Sequence, residues 1–282
     1  MWPILLAGTS ALIWGTADFC GGRAVQLGSG GRGQALSVTV FSQVCAIPMI
    51  ALFLLVVPGK LSVSALLWGA IAGVAGLTGI VLLYQGLSTG AMAVVAPTTA
   101  VTSAVIPIGG GLLLGERPGA VPLIGALCAV VAIGLVSRGP SSGPSRVSPR
   151  VLGLALTAGV MFGLFFLLLA RAGDDAGMWP LAAARVVALP IGLALLRPMG
   201  GSLRLSRRII PLAAIAGVLD LSANGLYLLA VYEGQISILA PIASLYPAST
   251  VLLALLIHKE KLVPLQIVGL GLAGAALVLA AS

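Results

Sequence analysis

The sequence has 282 residues, of which 59% are hydrophobic and only 8% are charged, and its mean hydropathy is +1.16. Soluble domains carry about 25% charged residues, so this composition excludes a cytosolic globular enzyme, a disordered protein and a nucleic-acid-binding protein. The net charge is +8, and the basic residues lie mostly in short loops, where they signal membrane topology beside anionic lipid headgroups. The composition therefore indicates a polytopic protein whose main partner is the lipid bilayer.

Ten apolar segments follow one another along the chain, each close to the roughly 20 residues that a membrane helix needs. In chain order they are 3–25, 35–57, 65–87, 92–114, 118–136, 151–170, 178–196, 209–231, 236–257 and 263–281. A stretch rich in Gly, Ser and Pro at 138–149 separates the fifth segment from the sixth and is typical of a linker. The sequence predicts an all-α integral membrane protein with ten transmembrane helices.

The two halves of the chain repeat each other. A shift of 144 residues places Gly15 on Gly159, Ala96-Pro97 on Ala240-Pro241 and Glu116-Arg117 on Glu260-Lys261. The halves are 1–137 and 150–282, with five helices each. An odd number of helices inverts the second half in the membrane, and inverted repeats are typical of secondary transporters, whose solute site lies between the halves near the midplane.

The loops differ in charge on the two sides of the membrane. Eleven basic residues lie in loops after the odd-numbered helices and three in the remaining loops. Because basic loops stay in the cytoplasm, this distribution favours an N-terminus on the outside.

Polar residues deep in the membrane are the candidates for chemistry, because such residues usually face a bundle interior or an aqueous cavity. Asp18 shares a helix face with Trp14, Asp220 starts a polar stripe in the eighth helix, and Arg185 lies in the middle of the seventh. Prolines in the fourth and ninth helices free backbone carbonyls beside further polar residues. The candidate substrate-binding residues are Trp14, Asp18, Ser42, Gln43, Gln85, Thr98, Arg185, Asp220, Asn224, Tyr227, Ser244 and Tyr246.

Each of these features also has a structural interpretation. Either acid could pair with Arg185 to hold helices together, and Arg185 could instead contact an anionic solute. The stripe from Asp220 could serve hydrogen bonds between helices, and Gly69-x-x-x-Gly73 is typical of close helix packing. Glu116, at a helix end, is expected to be solvated or paired with Arg117.

The sequence contains no catalytic constellation. It has a single histidine, His258, and no P-loop motif, so it has neither a zinc-protease site nor an ATP site of its own. We therefore expect no enzyme activity and no cofactor or metal, and a transporter of this kind would take its energy from an ion or solute gradient. A proton relay through His258 is a minor alternative.

Several motifs resemble one family. Trp14-Gly15-x-x-Asp18-Phe19-x-Gly21-Gly22, Gly115-Glu116-Arg117-Pro118 and Ser244-Leu245-Tyr246-Pro247 are similar to motifs of the EamA-type ten-helix transporters in the drug/metabolite transporter superfamily. The resemblance covers nearly the whole chain. It implies a secondary carrier that moves small metabolites, often outward, without a cofactor. The usual family topology places both termini in the cytoplasm, opposite to the charge distribution.

The expected function is a secondary active transporter in the cell membrane that exports a small metabolite, an amino acid-like or a drug-like solute by alternating access. Two deep acids against one deep arginine favour a cationic or zwitterionic solute, and a proton is the candidate coupling ion. A monomer is expected, and a homodimer stays open. The alternatives are a non-transporting membrane scaffold, a passive channel and a lipid-linked sugar flippase.

Overall fold

The structure, a computed structural model, describes residues 1–28, 31–87, 92–136, 148–173, 175–246 and 264–281. Over these residues the chain is all-helical, which confirms the predicted fold class. The helices are α1 Trp2–Gln26, α2 Gly31–Cys45, α3 Ile47–Val56, α4 Val63–Leu87, α5 Met92–Leu113, α6 Ala120–Val136, α7 Pro149–Ala170, α8 Trp179–Leu196, α9 Ile210–Tyr232, α10 Ile236–Ala243 and α11 Pro264–Ala281.

The helices match the ten predicted segments once two of them are considered in detail. The second segment is broken at Ala46 into α2 and α3, because Pro48 has no N–H to donate to the carbonyl of Val44. The ninth segment begins with α10, and its remainder lies outside the described residues. Most of the predicted linker and both His258 and Glu260 also lie outside them.

Six spans in the described part of the chain are long and apolar enough to cross a membrane. They are α1, α2 with α3, α4, α7, α8 and α9, and shorter apolar stretches lie in α5, α6 and α11. Large apolar side chains such as Leu12, Leu67 and Val186 are exposed on the outer faces of these helices. In a bilayer those faces meet hydrocarbon, so their exposure is favourable.

The two halves interlock in a pattern that follows the repeat. Helix α1 of the first half packs along α9 of the second, and their equivalents in the repeat, α7 of the second half and α4 of the first, pack along each other. The fifth helices of the two halves, α6 and α11, also form an extensive pair. The core of the bundle is thus built mainly from contacts between the halves.

Glycines bring these helices into close contact. A methyl group at Gly69 or Gly73 of α4 would meet the backbone of α8, at Pro180 and Ala184 respectively. The predicted packing role of Gly69-x-x-x-Gly73 is confirmed. A methyl group at Gly217 of α9 would meet the carbonyl oxygen of Ser42 in α2, so only a residue without Cβ permits this approach.

Glu116 differs from its prediction. Its two carboxylate oxygens accept hydrogen bonds from the N–H groups of Ile236, at 2.8 Å, and Ser237, at 2.9 Å. The first N–H groups of a helix have no partner within the helix, and Glu116 supplies one for α10. The expectation of a solvated or Arg117-paired side chain is therefore wrong, because the nearest helix start belongs to the other half of the chain.

Candidate functional site

A cavity of about 80 Å³ lies between the two halves, near the middle of the helices. At about 10–15 Å³ for each water molecule it has room for several waters. Its walls come from α1, α2, α4, α5, α7, α8, α9 and Tyr246, the last of which follows α10. Helices α6 and α11 supply none of the described lining residues, as expected for helices that buttress the bundle.

The structure brings eight of the twelve candidate residues to this cavity. They are Trp14, Asp18, Ser42, Gln43, Arg185, Asp220, Asn224 and Tyr246.

Four candidates lie elsewhere. Gln85 is half-buried in α4 and the carbonyl of Thr98 accepts a hydrogen bond from Thr102 at 2.7 Å, away from the cavity lining. Tyr227 is fully buried, and its ring packs at a tilt against that of the lining residue Trp14, with centroids 5.8 Å apart. The hydroxyl of Ser244 lies 3.3 Å from that of Ser103, which does line the cavity. Tyr227 and Ser244 therefore support lining residues from behind.

Asp220 of α9 is held by side chains of two other helices, α1 and α8. Its Oδ2 pairs with Nη2 of Arg185 at 2.7 Å, and its Oδ1 accepts a hydrogen bond from Nε1 of Trp14 at 3.2 Å. Its main-chain carbonyl accepts a bond from Nδ2 of Asn224 at 2.6 Å. The sequence left open which acid Arg185 would meet, and the structure selects Asp220.

Asp18 is the other acid in the cavity, one helical turn from Trp14. It makes no hydrogen bond or ion pair within the described ranges. Two amide oxygens in the lining, Oε1 of Gln43 and Oδ1 of Asn224, are buried and likewise have no partner among the described residues. Because Asn224 donates its Nδ2 to Asp220, its oxygen is fixed as the free end of the amide.

These three groups share one property: they accept hydrogen bonds. Buried polar atoms normally find partners, and leaving one unsatisfied costs about 1–3 kcal/mol. A bound solute with N–H or O–H donors would satisfy them. The Arg185–Asp220 pair is neutral overall, so Asp18 is the one carboxyl group without an ionic partner among the described lining residues.

Three phenylalanines of α7, Phe162, Phe165 and Phe166, also line the cavity. The Phe166 ring lies 5.4 Å from that of Trp14 and 4.7 Å from that of Tyr227, measured between centroids. Reasoning from polar residues did not identify them. The available signal was the repeat, which places Phe162 at the position equivalent to Asp18.

The two halves also touch at both membrane faces. On one face Gly177 lies against the backbone of Pro58 and Gly59, and the Lys60 N–H donates to the Asp175 carbonyl at 2.8 Å. An exposed ion pair between the side chains of Lys60 and Asp175 lies beside this contact, at 3.2 Å.

On the other face Gly33 lies against the backbone of Gly200, and the Ser202 N–H donates to Oγ of Ser37 at 2.8 Å. Gly33 and Gly177 are 144 residues apart, so the repeat relates the two contacts. The cavity-lining helices run between these two faces.

Within the ranges that the structure describes, no three His, Cys, Asp or Glu side chains lie together as metal ligands would.

Comparison with known proteins agrees with this architecture. The sequence profile of the EamA-like transporter family matches residues 1–138 and 150–282. No curated protein sequence matches the chain. A solved structure, described only as the crystal structure of a protein, aligns with 99% of this chain and 98% of its own at a TM-score of 0.77 and 15% sequence identity. At that identity the likeness shows the fold alone.

Proposed function

The chain belongs to the EamA-like transporter family, and from this premise we propose that it is a secondary active transporter for a small amine-bearing solute. The family consists of membrane transporters and not enzymes. One observation carries the proposal: the unpaired carboxylate of Asp18 faces a cavity between the halves, together with the free amide oxygens of Gln43 and Asn224.

The chemistry of these groups favours an ammonium. An ammonium has three donors and no acceptor. It would also bring the positive charge that compensates an ionised Asp18. The other strong acceptor, Asp220, is already engaged by Arg185 and Trp14. Further N–H groups of Arg185 remain for a carboxylate, so both cationic amines and zwitterionic amino acid-like solutes suit the cavity.

Transport would proceed by alternating access, in which the halves part at one membrane face at a time. The contact of Gly177 with Pro58-Gly59 and the contact of Gly33 with Gly200 are the natural gates, because they join opposite halves at opposite faces. The repeat relates the two contacts to each other. Rocking of inverted repeats would open one such contact while the other stays closed, which supports their role as gates.

The proposal includes export across the cell membrane in exchange for protons. Asp18 is one carboxylate for which an ammonium and a proton would compete, so binding of one would displace the other. Exchange by a monomer would then need no further acidic group. The basic loops on the Gly33 side support a cytoplasmic location for that face.

The test of the proposal is flux in sealed proteoliposomes with 2-phenylethylamine as the probe. Because the uncharged form of this amine crosses lipid unaided and accumulates on the acidic side, protein-free liposomes give the baseline, and the native chain should move the amine faster than that baseline when a pH gradient is imposed. Asp18→Asn should reduce this flux at least tenfold, whereas Glu233→Gln, which neutralises an exposed acid at the end of α9, should retain it. Flux that never exceeds equilibration under any ion gradient would favour a passive channel. Absence of protein-dependent flux with the native chain and with both variants would favour the non-transporting scaffold.

The gates can be tested by reversible cross-linking in a background without the native cysteines. Lys60→Cys/Asp175→Cys joins one face and Ser37→Cys/Ser202→Cys joins the other. The backbone distance of 2.8 Å at the first pair and the 2.8 Å bond at the second correspond to Cα separations of about 5–6 Å, within disulfide range. Oxidation of either pair should stop flux and reduction should restore it. Full flux with either bridge closed would contradict alternating access through these gates.

A further inference from the structure

The two long walls of the cavity are equivalent in fold but opposite in chemistry. One wall is the α1–α9 pair and the other is the α4–α7 pair, which the repeat relates to it. The lining residues at equivalent positions, 144 residues apart, are Asp18 with Phe162, Asp220 with Gly76, and Asn224 with Ile80. Every polar group of the first wall thus has an apolar counterpart on the second.

The aromatic rings of the second wall rest on a glycine face of α4. A methyl group at Gly76 would lie 3.0 Å from Cδ2 of Phe165, and one at Gly79 would lie 2.9 Å from Cδ1 of Phe162. The backbone of α4 therefore fixes how far both rings stand out from α7. Phe165 is buried, whereas Phe162 is only partly buried and lines the cavity.

We infer that this apolar wall is a second subsite, which selects solutes by the apolar group attached to their amine, with Phe162 as its specificity-determining residue. The inference rests on the proposed function. An ammonium held at Asp18 leaves the rest of the solute facing α4 and α7. Each methylene group buried there would strengthen binding about fourfold, so a solute with an aromatic or branched group would be preferred over a small amine.

The experiment uses the full-length protein in detergent and three probes, methylamine, n-butylamine and 2-phenylethylamine. Affinity is measured from the rise in unfolding temperature with ligand concentration, and 2-phenylethanol, which lacks the ammonium, corrects for partitioning into the micelle. The native protein should bind 2-phenylethylamine most tightly and methylamine least.

Two variants separate the subsites. Phe162→Ala should weaken binding of 2-phenylethylamine at least tenfold and change that of methylamine less than threefold, since a hydrophobic pocket discriminates by about 10- to 200-fold. Asp18→Asn should weaken all three amines by the same factor. The control is Phe53→Ala, which truncates a phenylalanine packed on Gly225, outside the cavity lining, and it should retain the native order of affinities.

The outcomes distinguish the inference from the proposal beneath it. If Phe162→Ala weakens all three amines equally, or none, the second subsite is refuted and the proposed function stands. If no amine stabilises the native protein, both are refuted. Phe162→Leu keeps most of the side-chain volume and guards against misfolding of the alanine variant. It should give an intermediate loss for 2-phenylethylamine only, and a native-like affinity profile in both folded variants would refute the subsite.

Discussion

The variants Asp220→Asn and Asp18→Asn should differ in their effect on the free energy of unfolding. Asp220 accepts a bond from Arg185 at 2.7 Å, and their side chains are 25% and 18% exposed. Breaking a fully buried ion pair costs about 3–5 kcal/mol, and breaking an exposed one costs about 0–1 kcal/mol. The partial exposure places this pair between these limits, so Asp220→Asn should lower the free energy of unfolding by about 2–3 kcal/mol.

Asp18 has no hydrogen-bond or ion-pair partner in the described part of the chain, so its replacement removes a charge without removing a contact. An unpaired charge in the membrane is unfavourable, and Asp18→Asn should leave the free energy of unfolding unchanged or raise it. The loss should appear in solute binding. A hydrogen bond to a charged group contributes about 1.5–3 kcal/mol, which corresponds to about 10- to 150-fold weaker binding of an amine.

The assay is reversible unfolding in mixed micelles of a denaturing and a non-ionic detergent, combined with flux in proteoliposomes. Arg185→Gln and the double variant with Asp220→Asn complete a mutant cycle, and a genuine ion pair should give a coupling energy well above the 0.3–0.5 kcal/mol that independent sites show. Equal destabilisation by Asp18→Asn and Asp220→Asn, with no separate loss of flux, would refute this reasoning and favour a purely structural role for both acids.

Two further predictions concern packing and capping. Gly217→Ala should lower the free energy of unfolding by about 1–3 kcal/mol, because the added methyl group meets the Ser42 carbonyl. The same substitution at Gly271, which has nothing within 4 Å, should be neutral or stabilising in the same unfolding assay. Glu116→Ala should cost about 0.5–2 kcal/mol, as the loss of a helix cap does, since it removes both bonds to α10. Unchanged unfolding of Glu116→Ala would mean that water replaces the cap at no cost.

The sequence could identify polar residues of the site because polar groups in a membrane are confined to the protein interior. Asp18, Arg185 and Asp220 face a cavity for that reason. Phe162 could not be identified in the same way. An aromatic ring is stable against lipid, inside the bundle or against an apolar solute, so its hydrophobicity does not show which of these it faces.

The partners of a side chain were harder to predict than its depth. Glu116 lies beside Arg117 in sequence, yet it accepts its hydrogen bonds from Ile236 and Ser237, which lie 120 and 121 positions further along the chain. The break at Ala46 could be read from Pro48 alone, because the missing N–H acts on its own helix. The bonds of Glu116 depend on where the two halves meet, and no local pattern encodes that.

Hydropathy, loop charge and the internal repeat are properties of the chain itself, and they determined the membrane environment, the helical class and the two halves. The tertiary structure alone decided that Arg185 neutralises Asp220 and leaves Asp18 unpaired in the cavity. The physical reason is that a charge in a membrane must be compensated by whichever group its neighbouring helix presents. That neighbour is set by the packing of α1, α8 and α9, which lie far apart in sequence.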